Sequence, residues 1–173
     1  MNKILFLISI LFLFSCGNKP NKKNLDCKNL YSDEKIELCL PSENWKPEKI
    51  DKYIIFENDS NDSIKINKSV IAIMIDNYQS ELSAKILRDQ HLESMLKSET
   101  LNVELISKGT ENINGKTFYD FEINSKNRQV YSYFLFYNKG KIGYNISASI
   151  GEKIRNGIDK KDYLNFLKSL RIK

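Results

Sequence analysis

The chain of 173 residues is poor in the residue types and motifs that usually carry chemistry. It has one His, one Trp and three Cys, and it lacks a C-x-x-C pair, a P-loop, a G-x-G-x-x-G loop and a G-x-S-x-G elbow. These absences argue against zinc sites, nucleotide sites and hydrolase triads. We therefore expect no catalytic residue, no metal site and no cofactor, and we expect that the protein is not an enzyme.

Long hydrophobic runs are also missing. The longest apolar stretch, residues 4–14, is broken only by Ser9 and is shorter than the roughly 20 residues that a transmembrane helix needs. It follows the positively charged start Met1-Asn2-Lys3, and this order is typical of a secretory signal peptide. Export from the cytoplasm is the first functional expectation.

The apolar stretch ends at Leu13-Phe14-Ser15-Cys16-Gly17, which resembles the bacterial lipoprotein signal. The resemblance implies cleavage after residue 15, transfer of a diacylglyceryl group to the Cys16 thiol, and acylation of the new amino terminus with a chain such as palmitate. Each buried CH₂ contributes about 0.8 kcal/mol, so several acyl chains would hold the protein on a lipid bilayer. We expect a lipid-anchored envelope protein that faces the periplasm. The alternatives are a plain cleaved signal with an incidental cysteine, or an uncleaved anchor.

After the signal at 1–15, residues 16–24 are polar apart from the lipidated cysteine and predict a flexible tether. The remaining segment, 25–173, is long enough for one domain. The whole chain has 27 basic and 22 acidic residues, but four of the basic ones precede the domain: Lys3, Lys19, Lys22 and Lys23. The domain is therefore nearly neutral, with 23 against 22, which argues against a nucleic-acid partner.

Two cysteines, Cys27 and Cys39, remain once Cys16 is assigned to lipid. An exported domain folds where disulfides form, and the turn-like sequence at 31–35 would allow a strand–turn–strand to bring the two thiols together. Closing such a loop contributes about 3 kcal/mol in the chain-entropy model. The alternative is two separate buried thiols.

Hydrophobic periodicity predicts an α+β domain. The order is strands, one long helix at 80–98 capped by Ser80 or Asn77, a meander with turns at Asn114-Gly115 and 138–141, and a final helix capped by Asp159 or Asp162. Such an order gives an antiparallel sheet packed against two helices. The predicted strands are 36–40, 53–56, 70–75, 103–107, 117–123, 129–137 and 142–150.

Three features together resemble the PsbP/DcrB-like family. They are the Pro41-x-x-x-Trp45 corner after the opening strand, the helix followed by a meander with its Asn-Gly turn, and the ending Phe-Leu-Lys-Ser-Leu-Arg-Ile at 166–172. The resemblance covers about residues 35–173. It implies an exported, often lipid-anchored, non-catalytic binding or assembly module, and it assigns no site residues.

Aromatic residues supply the candidate binding surface. Trp45, Tyr131, Tyr133 and Tyr137 combine apolar area with polar tips, as interface residues do. The alternative is that the tyrosines are ordinary strand residues and that the tryptophan fills a corner of the core. His91 lies on the apolar side of the predicted helix, where packing is the simpler role.

These residues leave two functional hypotheses open. One is binding or assembly with an unknown envelope protein, and the other is a carrier of a small apolar ligand in a cavity between sheet and helices. A separate three-residue pattern, Asp62-Ser63-Ile64, resembles a bacterial O-glycosylation acceptor.

Overall fold

The computed structural model describes residues 27–40, 43–58, 70–151 and 166–173. Within these ranges the chain forms ten β-strands, one helix of 13 residues, and a short helical turn at 166–168. The strands are β1 (Leu30–Ser32), β2 (Ile36–Cys39), β3 (Trp45–Ile50), β4 (Tyr53–Asn58), β5 (Val70–Asn77), β6 (Val103–Ile113), β7 (Lys116–Ser125), β8 (Val130–Lys139), β9 (Ile142–Gly151) and β10 (Arg171–Ile172), and the helix is α1 (Ala84–Leu96).

Two antiparallel sheets organise these strands. The large sheet has the order β3-β4-β5-β9-β8-β7-β6, and the small sheet has the order β1-β2-β10. Strands β6 to β9 form a meander of consecutive hairpins, and β5 pairs with the last of them through eight residue pairs from Val70↔Ser149 to Asn77↔Ile142. The helix α1 connects β5 at the middle of the sheet to β6 at its edge.

The period-two pattern of the strands separates two cores. On β5, Ile71, Ile73 and Ile75 are buried on the face toward the small sheet and the chain end, and we call this side the large core. The opposite face packs against α1, and we call that side the helix-side core. Its buried members are Ala84, Leu92, Phe121, Ile123, Phe134 and Phe136.

One face of α1 packs on the helix-side core, and the helix starts with the first buried residue of that face. Ala84, Arg88 and Leu92 are buried at intervals of four, which is the spacing of one helix face. The helix begins at Ala84 with Ser83 as N-cap, so the prediction that it begins near residue 80 with Ser80 or Asn77 as cap is wrong. The physical reason is that β5 continues to Asn77, and the following residues make the connection to the helix.

The α+β description is correct only in part, because the structure is mainly sheet. The predicted final helix is represented by its last turn at 166–168, while its proposed caps Asp159 and Asp162 lie outside the described residues. Two strands were not predicted from the sequence: β3, which begins at the corner residue Trp45 and continues to Ile50, and β10 at the chain end, after the final helical turn. Pro47 in β3 is compatible with pairing because β3 lies at the end of the sheet and offers one side to solvent.

The Asn114-Gly115 turn closes the hairpin of β6 and β7 and also contacts the C-terminal segment. Both residues have positive φ, 51° and 75°, as the sequence pattern predicts. In addition, the Asn114 side-chain amide donates hydrogen bonds to the carbonyls of Lys168 and Leu170, at 3.0 and 2.8 Å. The turn therefore attaches the chain end to the meander.

We expect Asn114→Ala to lower the free energy of unfolding by about 2 kcal/mol, because it loses both hydrogen bonds and strains a positive-φ position. Asn114→Gly keeps the backbone conformation and should lose only about 1 kcal/mol. Urea denaturation measures both. Gly115→Ala is the control that strains the turn without touching these bonds, and equal stability of the two Asn114 variants would contradict the assigned strain.

Candidate functional site

A groove lies between α1 and the middle of the large sheet. The helix packs on β6, β7 and β8, so it leaves the neighbouring faces of β5 and β9 less covered. The groove has a volume of about 300 Å³. It is lined by Met74, Tyr78, Leu87, Gln90, His91, Ser94, Phe136, Tyr144 and Asn145.

Strand register builds the floor of the groove. Asn145 of β9 pairs with Met74 of β5 on one side and with Phe136 of β8 on the other. These three residues therefore form one row across three adjacent strands, on the face that α1 overhangs. The row places an amide between a thioether and a phenyl ring.

His91 forms the helix wall of the groove. Its imidazole lies 5.3 to 6.1 Å, centroid to centroid, from the rings of Phe121, Phe134 and Phe136. Burial among these rings lowers the pKa of His91, because the charged form loses hydration there. His91 is accordingly neutral at pH 7. It serves as an aromatic packing residue here, as its place on the apolar side of the helix suggested.

The remaining walls are also uncharged. Tyr78 packs over Gly143, where a Cβ would overlap the Tyr78 ring, and its backbone N–H donates to the carbonyl of Lys141 at 2.9 Å. Burial raises the pKa of Tyr78, so its hydroxyl stays protonated. Tyr144 borders the groove, but its ring points into the large core, where it packs on Tyr137 at 6.1 Å. The Asn145 Oδ1 atom is buried and has no hydrogen-bond partner in the described part of the chain.

The aromatic residues singled out from the sequence lie elsewhere. Trp45 is 3% exposed and its ring stacks on Phe166 at 6.3 Å, so it fills the large core. Tyr131, Tyr133 and Tyr137 project toward that same core, on the sheet face opposite the groove. None of these four residues lines the groove.

Two of these tyrosines contact buried acids. The Tyr131 hydroxyl donates to Glu122 and the Tyr133 hydroxyl donates to Asp120, the latter at 3.2 Å. Burial raises the pKa of the Asp120 carboxyl, opposed in part by its hydrogen bonds. This arrangement satisfies polar groups inside the fold, which is a structural role.

The cysteines flank the small sheet. The structure joins Cys27 to Cys39 as a disulfide, with their Cα atoms 5.9 Å apart. The Cys39 backbone N–H also donates to the Ser169 hydroxyl at 2.9 Å, so this strand end contacts the C-terminal segment as well. Cys16 and Ser63 lie outside the described residues.

The described residues contain neither a candidate membrane-spanning helix nor a candidate metal site. No helix in these ranges is long and apolar enough to cross a membrane. No group of three or more His, Cys, Asp or Glu side chains in the same ranges is arranged to hold a metal ion.

Solved structures of other proteins share this fold. No family model and no curated protein matches the sequence. Among solved structures, cyanobacterial PsbP (CyanoP) from Synechocystis sp. PCC 6803 is similar, with a TM-score of 0.61 at 16% identity, over 84% of this chain and 92% of that one. LpqN, involved in cell envelope biogenesis of Mycobacterium tuberculosis, has a TM-score of 0.60 at 10% identity, over 82% of this chain and 87% of that one.

A third similar structure is PA94 from Pseudomonas aeruginosa, a protein of unknown function. Its TM-score is 0.52 at 13% identity, over 82% of this chain and 94% of that one. The fold is therefore PsbP-like. At identities this low the similarity concerns the fold alone.

Proposed function

We propose that this protein is a lipid-anchored lipoprotein of the bacterial cell envelope whose PsbP-like domain is a non-catalytic binding module facing the periplasm. The disulfide between Cys27 and Cys39 is the observation that carries the proposal. Disulfides of this kind persist in oxidising compartments outside the cytoplasm. With two cysteines paired, the third is Cys16, the residue in the lipoprotein signal.

The binding role draws on two further observations. The fold is shared with a protein involved in cell envelope biogenesis, which is compatible with an envelope location. The second is the groove beside α1, whose volume of about 300 Å³ is at the lower end of the range for small-molecule sites. A protein partner is the leading candidate, and the groove supports a small-ligand carrier as the second.

Replacing Cys16 by Ser tests the anchor. The wild-type protein should label with radioactive palmitate, sediment with membranes and be released only by detergent. Cys16→Ser should lose the label completely, because serine supplies no thiol for the diacylglyceryl group, and should keep its unprocessed mass.

The matched control is the double variant Cys27→Ser/Cys39→Ser, which changes the other two cysteines and keeps Cys16. It should label and sediment like the wild type. Unchanged processing and labelling of Cys16→Ser would overturn the lipoprotein proposal.

A further inference from the structure

We infer that the groove between α1 and strands β5, β8 and β9 binds a small uncharged molecule made of an apolar ring bearing a hydroxyl group. The inference rests on the proposed binding role and gives it a site and a ligand class. It does not depend on the lipid anchor.

The size of the groove limits the ligand to about one ring with a short substituent. Ligand sites usually enclose about 300 to 1,000 Å³, and this groove has about 300 Å³. A nucleotide or an extended peptide would extend far beyond it.

The floor and one wall favour an apolar ring. Phe136 and Met74 lie on either side of Asn145 in the floor, and Leu87 and the His91 ring face them from the helix. Aromatic rings prefer such neighbours, since offset-stacked, edge-to-face and sulfur–aromatic contacts all add to the burial of apolar area.

The walls disfavour a charged ligand. Among the described residues, no Asp, Glu, Lys or Arg side chain lines the groove, and the titratable side chains that do are those of His91 and Tyr78. Tyr144 borders the groove, but its ring packs on Tyr137 in the large core. The carboxylate nearest along β5, that of Asp76, is paired with Lys52 at 2.8 Å. An ion in the groove would therefore lose hydration without gaining a counter-charge.

Asn145 supplies the reason for a hydroxyl. Its Oδ1 atom is buried without a partner in the described ranges, which is an unfavourable arrangement for an amide. A half-turn of the amide about the Cβ–Cγ bond exchanges the positions of Oδ1 and Nδ2. A hydroxyl both donates and accepts, so it can bond whichever amide atom faces it.

Benzyl alcohol is the probe that tests the site, with the full processed protein in lipid nanodiscs. Once the signal is removed the chain has two methionines, Met74 in the groove and Met95 in the helix-side core. With ¹³C-labelled methionine methyl groups, NMR titration should shift the Met74 signal saturably. The Met95 signal should move little and is the internal control.

Three analogues of benzyl alcohol, each titrated to the same free concentration, test whether binding needs the hydroxyl group and whether it excludes a charge. Ethylbenzene has the same shape without the hydroxyl, and it should bind about tenfold more weakly, the loss expected for one hydrogen bond. Benzoate and benzylammonium should cause no saturable shift. Binding of either ion as tight as that of benzyl alcohol would overturn the assigned ligand class.

Two helix variants test the location. Ser94 is exposed at the rim of the groove, so Ser94→Trp should fill it and abolish the Met74 shift. Lys85→Trp adds the same side chain at an exposed position of α1 outside the groove, and should bind like the wild type. Equal binding by the two tryptophan variants would place the probe elsewhere and overturn the site.

Asn145→Leu tests the polar contact. It removes the amide whose buried Oδ1 atom has no partner among the described residues, so the domain should remain folded, while the tenfold preference for benzyl alcohol over ethylbenzene should disappear. Absence of any saturable shift in the wild-type protein would overturn the inference while leaving the lipoprotein proposal intact. Loss of palmitate labelling has no bearing on the groove, so the two failures are distinguishable.

Discussion

Replacing Phe121 by Ala should lower the free energy of unfolding by about 3–5 kcal/mol, the usual range for a large aromatic residue in a core. Phe121 is fully buried in β7, and its ring stacks on Phe134 at 4.7 Å and on Phe136 at 5.9 Å. It also contacts His91 of α1. The truncation removes the centre of the contact between sheet and helix, and urea denaturation measures the loss.

Phe118→Ala is the matched control for this prediction. Phe118 is 1% exposed in the same strand, but it faces the large core, where it packs on Tyr137 at 5.0 Å. Both truncations should destabilise the domain by similar amounts. Only Phe121→Ala should raise the pKa of His91 toward its ordinary value, because only that variant lets water reach the imidazole. An NMR titration that shows the same His91 pKa in both variants would contradict the two-core arrangement.

Buried His91 makes the free energy of unfolding depend on pH. Burial lowers the pKa of His91 in the folded state, so between the folded value and the unfolded value near 6.5 the unfolded chain binds more protons. The contribution of neutral His91 is therefore complete above about pH 6.5, and is lost as the pH falls through that value toward the lowered folded pKa. Phe121→Ala should weaken this dependence.

Removal of the disulfide by Cys27→Ser/Cys39→Ser should lower the free energy of unfolding by about 3 kcal/mol. The two cysteines are 12 positions apart, and their bond restricts the unfolded chain. In the folded state the disulfide attaches residue 27 to the end of β2, the central strand of the small sheet. Strand β2 also pairs with β10 at the chain end. Urea denaturation should show the decrease under oxidising conditions.

Reductant provides the internal control for the disulfide prediction. Dithiothreitol should lower the wild-type midpoint to that of the double serine variant, and should leave the variant unchanged. A wild-type midpoint that does not respond to complete reduction of the bond would contradict the stabilising role. It would mean that the pairing of β10 with β2 and the ion pair between Lys173 and Glu37, 3.1 Å apart, hold the small sheet without it.

Local signals in the sequence predicted much of this fold. The continuous apolar run of β5, the Asn114-Gly115 turn and the helical spacing that begins at Ala84 each depend on residues near one another in the chain, and each appears in the structure. The PsbP-like architecture was also anticipated from the order of these elements. Strand β3 was missed because Trp45 and Pro47 are read as corner residues unless the edge position of the strand is known.

The groove was not predictable, because its floor depends on register between distant strands. Asn145 becomes a binding candidate only when β5 and β8 bring Met74 and Phe136 to either side of it. The aromatic run of β8 was recognised, but its tyrosines and phenylalanines alternate between the two faces. The sequence could not show that Tyr131 and Tyr133 face the large core while Phe136 faces the groove.

The position of Cys27 limits how far the domain can lie from the membrane in the proposed lipid-anchored form. The disulfide ties the chain to β2 at that residue, and eleven peptide links separate it from Cys16. Even a fully extended segment of this length spans at most about 40 Å. The domain would therefore act only in the layer next to the membrane surface, and a partner fixed farther away would have to extend toward it.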